Sequence, residues 1–152
     1  QLLIDKQPYP ALLRLLNNSN VRVISNAIES IYNLLLNGSN TTPPNTEHPH
    51  FQIIQEAKGI EKIFELFCKD RSSKYQKDDA CLCLGILFRA QVIPWEMKNS
   101  IIKHLKTLLT DSNEYTKNSA KLALEELIQN EGNQKNDDDD EEEDDDNNDD
   151  KE

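Results

Sequence analysis

Residues 12–36, LLRLLNNSNVRVISNAIESIYNLLL, hold a leucine-rich helical phrase, a polar break and a second helical phrase hinged on Ala27. The design returns at residues 63–87, IFELFCKDRSSKYQKDDACLCLGIL, hinged on Ala80. It returns again at residues 105–127, LKTLLTDSNEYTKNSAKLALEEL, hinged on Ala120. Self-similarity at a period of a few tens of residues marks stacked repeats, each of which buries its apolar face only against its neighbours. The expected fold is therefore all-α, a solenoid of about three repeats. Stacked repeats make elongated binding surfaces, so the expected function is binding rather than catalysis.

Within each phrase the spacing is helical. Leu12, Leu13, Leu15 and Leu16 form a stripe after Pro10, which suits a first helical turn because no N–H is needed there. Residues 17–20 form a turn-rich break that ends this helix and caps the next. Val23, Ile24, Ala27, Ile31, Leu34 and Leu35 then recur three and four apart, on one helical face, and Gly38 is expected to stop that helix. The segment GSNTTPPNTEHPH, residues 38–50, cannot propagate a helix and reads as an exposed loop. It stretches the hinge spacing to 53 residues, against 40 between the second and third hinges. Gly59 is expected to let the backbone turn between two short amphipathic pieces. Trp95, beside Pro94, is expected to anchor the third repeat in the core.

These expectations divide the chain into five parts: repeat one over 1–36, an exposed loop over 37–50, repeat two over 51–92, repeat three over 93–130, and a tail over 131–152. The sequence begins at Gln1 and its only methionine is Met97, so repeat one reads as truncated within a longer array.

Charge is placed unevenly. Residues 137–152 carry thirteen acidic residues and one lysine, a net of −12 within a whole-chain charge of −11, which leaves +1 for everything before them. The repeats are thus nearly neutral and lack the basic footprint of a nucleic-acid binder. A segment this polar cannot offset its chain entropy by burial and is expected to be disordered. It could serve as a solvating end, attract basic proteins, or fold back over lysine-bearing surfaces. Either binding mode would weaken with salt.

No membrane span or secretion signal is legible. Cys68, Cys81 and Cys83 are odd in number and lie in apolar helical text, which suits buried free thiols in a reducing compartment, cytoplasmic or nuclear. His48 and His50 form a His-x-His pair without the Cys or His spacing of a zinc site, so no metal is expected. Nothing resembles a phosphate loop, a triad or a metal hydrolase; no cofactor and no enzymatic activity are expected.

Glu56-Ala57-Lys58-Gly59-Ile60, followed by Ile63, Leu66 and Phe67, resembles the Glu-Ala-Gly-Gly-Ile junction of armadillo repeats. Their third-helix pattern is matched by Ala27, Ser30, Ile31, Asn33 and Leu34, by Ala80, Cys83, Leu84, Ile86 and Leu87, and by Ala120, Ala123, Leu124, Glu126 and Leu127. The resemblance covers roughly residues 8–130 and implies a right-handed superhelix of three-helix units. Repeat three lacks a glycine junction and equally resembles a two-helix HEAT unit. The resemblance also implies a partner peptide or protein lying along a concave groove of third helices. Import-receptor members hold peptides with a Trp-x-x-x-Asn pattern. Here the asparagine positions hold Asn33, Ile86 and Glu126, and the tryptophan positions hold Glu29, Leu82 and Leu122, so a receptor of that type is not expected. The basic groove of catenin-like members is absent too.

Stepping along one face of each third helix gives the expected groove. Repeat one contributes Arg22, Asn26, Glu29 and Asn33; repeat two contributes Tyr75, Asp79, Leu82 and Ile86; repeat three contributes Tyr115, Ser119, Leu122 and Glu126. Tyrosine and leucine anchors suit a peptide-binding hot spot. Leu82, Ile86 and Leu122 could equally be buried between stacked repeats. The leading functional expectation is a non-catalytic interaction scaffold; the alternative is a chaperone or transport adaptor that takes basic clients through the acidic tail.

Overall fold

A computed structural model describes residues 8–128 and 130–134, and every regular element among them is helical. Repeat one is α1 (Pro8–Leu15) and α2 (Val21–Ser39); repeat two is α3 (Phe51–Glu56), α4 (Gly59–Cys68) and α5 (Lys74–Leu87). Repeat three is α6 (Trp95–Leu108) and α7 (Glu114–Leu127), followed by the single turn α8 (Glu131–Gln134). The third-helix elements α2, α5 and α7 pack in that order, α2 on α5 and α5 on α7, while α1, α4 and α6 back them.

The hinge register is borne out. Ala27, Ala80 and Ala120 each sit six residues after the first residue of their helix, and all three are buried. Central α5 is covered from both sides, so residues 80–89 are buried without interruption. That explains why ACLCLGILF is apolar all round instead of striped. Small side chains permit the close crossings. A Cβ added at Gly85 would lie 2.9 Å from the Cβ of Ala123.

Several local expectations are corrected. Gly38 does not stop α2, which runs on to Ser39. Its lack of a side chain admits the rings of His48 and His50, whose Cε1 atoms would lie 3.0 and 2.9 Å from an added Cβ. The 37–50 segment is therefore only partly an exposed loop. Residues 43–47 are exposed, whereas His48 and His50 plug the core beside α1. His48 Nε2–H donates to the Leu35 carbonyl at 2.9 Å, and its Nδ1 accepts the His50 N–H at 3.0 Å. The Tyr9 hydroxyl bonds His50 Nδ1 at 2.6 Å. Burial, helped by the neighbouring His50 and Arg89, pushes His48 down to about 4. Burial lowers His50 as well, and the pair is a structural plug.

Gly59 is likewise a packing glycine. The left-handed residue at the α3–α4 turn is Lys58, with φ 53°. A Cβ on Gly59 would meet Ile54 Cγ2 at 2.6 Å and Leu13 Cδ1 at 2.8 Å, so this junction locks repeat two onto repeat one. Trp95 is no core anchor: it is 76% exposed, and Ile93 occupies the interior in its place. Cys81 and Cys83 are buried, but Cys68, at the end of α4, is exposed. Repeat three consists of two long helices without a short leading one.

The tail begins later than its expected boundary at residue 131. α8 folds back, and buried Asn133 clamps it. Its Nδ2 donates to the carbonyls of Gln91 (2.9 Å) and Leu127 (3.2 Å), and its Oδ1 accepts the Ile93 N–H at 3.0 Å. The acidic run from residue 137 lies outside the described residues.

Candidate cleft across the third helices

Each third helix starts on a side-chain cap. Asn20 accepts the Arg22 N–H for α2, Ser73 forms a reciprocal capping box with Gln76 for α5, and Asn113 accepts from Tyr115 and Thr116 for α7. Fixed starts place the first turn of α5 beside the first turns of α2, where Gln76 donates to the Val21 carbonyl and Ser25 Oγ, and the first turn of α7 beside Tyr32, further along α2. Between them lies an open cleft of about 900 Å³. Ser25, Glu29, Tyr32 and Asn33 line it from α2; Lys74, Tyr75, Asp78 and Asp79 line it from α5; Asp111, Ser112, Asn113, Tyr115 and Thr116 close it from the α6–α7 turn and α7.

Lys74 is the one cation in this lining. Its Nζ lies 2.7 Å from Asp111 Oδ2 and 2.6 Å from Asp78 Oδ2. Asp111 first and Asp78 second raise the lysine above its ordinary range. Asp78 is buried, which on its own would raise its carboxyl. Hydrogen bonds from His104 (2.9 Å) and Lys74 outweigh burial and hold it below the usual range. The Lys74 contact also lowers Asp111.

Glu29 and Asp79 form no salt bridge among the described residues. Half-buried and facing Glu29 and Asp78, Asp79 is pushed up to about 6, first by desolvation and then by those two carboxylates. A carboxyl raised in the fold stabilises the fold below its unfolded pKa, and that contribution is lost as pH rises through about 6. The cleft therefore holds negative charge in excess of what its own lysine neutralises.

Its walls are aromatic. The Tyr32 hydroxyl donates to Ser119 Oγ at 2.8 Å, and its ring meets Tyr115 edge-on at 6.3 Å. Tyr75 and Tyr115 are 74% and 57% exposed, so their rings are open to a ligand.

Of the twelve residues expected in the groove, Glu29, Asn33, Tyr75, Asp79 and Tyr115 come together here. Arg22 and Asn26 are exposed but outside the lining, as is Leu122 on α7. Leu82 and Ile86 are buried in the core, Ser119 is buried under Tyr32, and Glu126 is buried near Arg89; these four are not groove residues. The missed positions share a cause. Measured from the alanine hinges, the lining on α2 runs from two residues before to six after, whereas on α5 and α7 it lies one to six residues before, so the cleft crosses obliquely from α2 to the starts of the other two. Helical register gives equivalent positions on the three helices but not the stagger between them.

Among the described residues no His, Cys, Asp and Glu group could hold a metal ion, and no helix is long and apolar enough to cross a membrane.

No family model matches the chain, and no curated protein matches it. Among solved structures it is similar to the designed armadillo repeat protein YIII(Dq)4CqI, with a TM-score of 0.54 and 23% identity over 84% of this chain. The match spans 50% of that chain. The fold is armadillo-like; at this identity the likeness speaks for the fold alone.

Proposed function

We propose that the chain is a non-catalytic interaction scaffold whose cleft across α2, α5 and α7 takes an extended, lysine- or arginine-bearing segment of a partner protein. The observation that carries this reading is the cleft's composition: four carboxylates against one lysine, with two exposed tyrosine rings. Glu29 and Asp79 supply the unneutralised charge, and Tyr75 and Tyr115 supply faces on which a cationic side chain stacks. An acidic segment would meet like charge in the cleft.

The tail supports the competing reading, in which it captures basic clients by itself. Binding of a short lysine- and arginine-rich peptide, followed by fluorescence anisotropy, separates the two. The cleft reading expects binding by the full chain and by a chain ending at residue 136. It also expects Asp79→Asn to weaken the affinity about three- to tenfold, the effect of ~0.7–1.4 kcal/mol. Affinity should rise with pH through about 6, because the ligand prefers the ionised Asp79. A glutamate-rich peptide should not bind. If truncation at residue 136 abolishes binding while Asp79→Asn changes nothing, the tail is the binding element and the cleft reading fails.

A further inference from the structure

Within the cleft, Lys74 sits where its own helix disfavours it. It is the first residue of α5, at the end where the helix dipole opposes a cation. In its i,i+4 pairing with Asp78 the lysine is on the N-terminal side, the weaker of the two orders. Local structure therefore gives no reason for a lysine here; its two carboxylate partners do.

Those partners are held independently of it. Asp78 Oδ1 accepts from His104 Nε2 at 2.9 Å, and the His104 ring packs edge-on against Phe67. Asp111 Oδ1 accepts the Asn113 N–H at 2.8 Å, within the turn that starts α7. With each Oδ1 tied down, both Oδ2 atoms converge on one spot, the position of Lys74 Nζ, at 2.6 and 2.7 Å. The Asp78 and Asp111 side chains are only 6% and 12% exposed, whereas that of Lys74 is 61% exposed. The cradle is fixed, and its occupant is a long side chain open to the cleft.

We infer that this cradle is an ammonium subsite of the cleft and that Lys74 is its resident competitor, displaced when a lysine of the partner segment enters. The inference rests on the cleft reading above and narrows its ligand to lysine. The cradle offers one oxygen from each of two carboxylates to a single point. That suits the compact lysine ammonium better than the planar arginine fork, which pairs best with both oxygens of one carboxylate. The exchange replaces both ion pairs in kind and releases Lys74 to solvent.

Anisotropy titrations of the full chain test this, using two peptides alike except that every basic residue is lysine in one and arginine in the other. Lys74→Met removes the competitor and should tighten the lysine peptide about three- to tenfold, the effect of losing an exposed ion-pair network. The arginine peptide should gain less; stacking on the tyrosines is common to both chains and cancels in this comparison. Lys77→Met removes an equal charge from α5 outside the lining and should change either affinity by less than about twofold. In the wild-type chain, the side-chain NMR resonances of Lys74 should move to those of a solvated lysine as the lysine peptide saturates. Equal gains for the two peptides, an equal gain from Lys77→Met, or an unmoved Lys74 signal at saturation overturns the inference. The cleft reading survives any of these as long as Asp79→Asn weakens the same peptides, and a chain that binds neither peptide sinks both.

Discussion

Arg89→Met, as a single substitution, is expected to destabilise the chain by about 1–3 kcal/mol, the cost of leaving the Ser39 carbonyl and the Thr42 hydroxyl without the donor that satisfies them. The residue is wholly buried, caps the end of α2 through the Ser39 carbonyl, and sets its charge against buried Glu126. Methionine preserves much of the volume, so the loss is electrostatic and not a cavity effect. Chemical unfolding followed by circular dichroism measures it. The deficit should shrink as pH falls, because a stranded Glu126, its carboxyl raised further in the fold, is relieved by protonation. Adding Glu126→Met to Arg89→Met should recover part of the loss, because the buried carboxyl that Arg89 offset is then gone. An Arg89→Met chain as stable as wild type would show that the guanidinium does not cap α2 as described.

Gly85→Val is the second large effect, an expected loss of about 1–3 kcal/mol from overpacking. A Cβ at this position would lie 2.9 Å from Ala123 Cβ and 3.2 Å from Leu105 Cδ1. The first contact is between atoms fixed to two helix backbones, so α5 and α7 must move apart to relieve it. Valine has the better helix propensity, by only a few tenths of a kcal/mol, and does not offset the clash. Thermal unfolding of Gly85→Ala with and without Ala123→Gly isolates the crossing. The second substitution should recover part of what the first removes, although glycine itself weakens α7. Additive losses would place the crossing elsewhere.

The solenoid was legible in the sequence because its packing rule is local. A small residue must sit where third helices cross, and Ala27, Ala80 and Ala120 repeat at that place with the same offset from their helix starts. The tight contact between Gly85 and Ala123 follows from the same rule. What was not legible depends on contacts between distant segments. Nothing local in GSNTTPPNTEHPH says that its two histidines fill the space above Gly38. Nor does the text around Trp95 say that Ile93 takes the interior position.

The cleft was half legible for a related reason. Glu29, Asn33, Tyr75, Asp79 and Tyr115 follow from helical register, whereas Lys74, Asp78 and Asp111 enter because the cleft runs diagonally across the helix starts. Leu82 and Ile86 fell on the expected face, but that part of α5 is enclosed by its neighbours.

The proposed partner surface is the oblique, acidic and tyrosine-lined cleft. An amide-resolved NMR titration of the full chain with a lysine- and arginine-rich peptide tests it most directly. Shifts are expected to concentrate at residues 25–33, 74–79 and 111–116 and to saturate together. Shifts confined to residues 135–152, with the cleft amides unmoved, would contradict it.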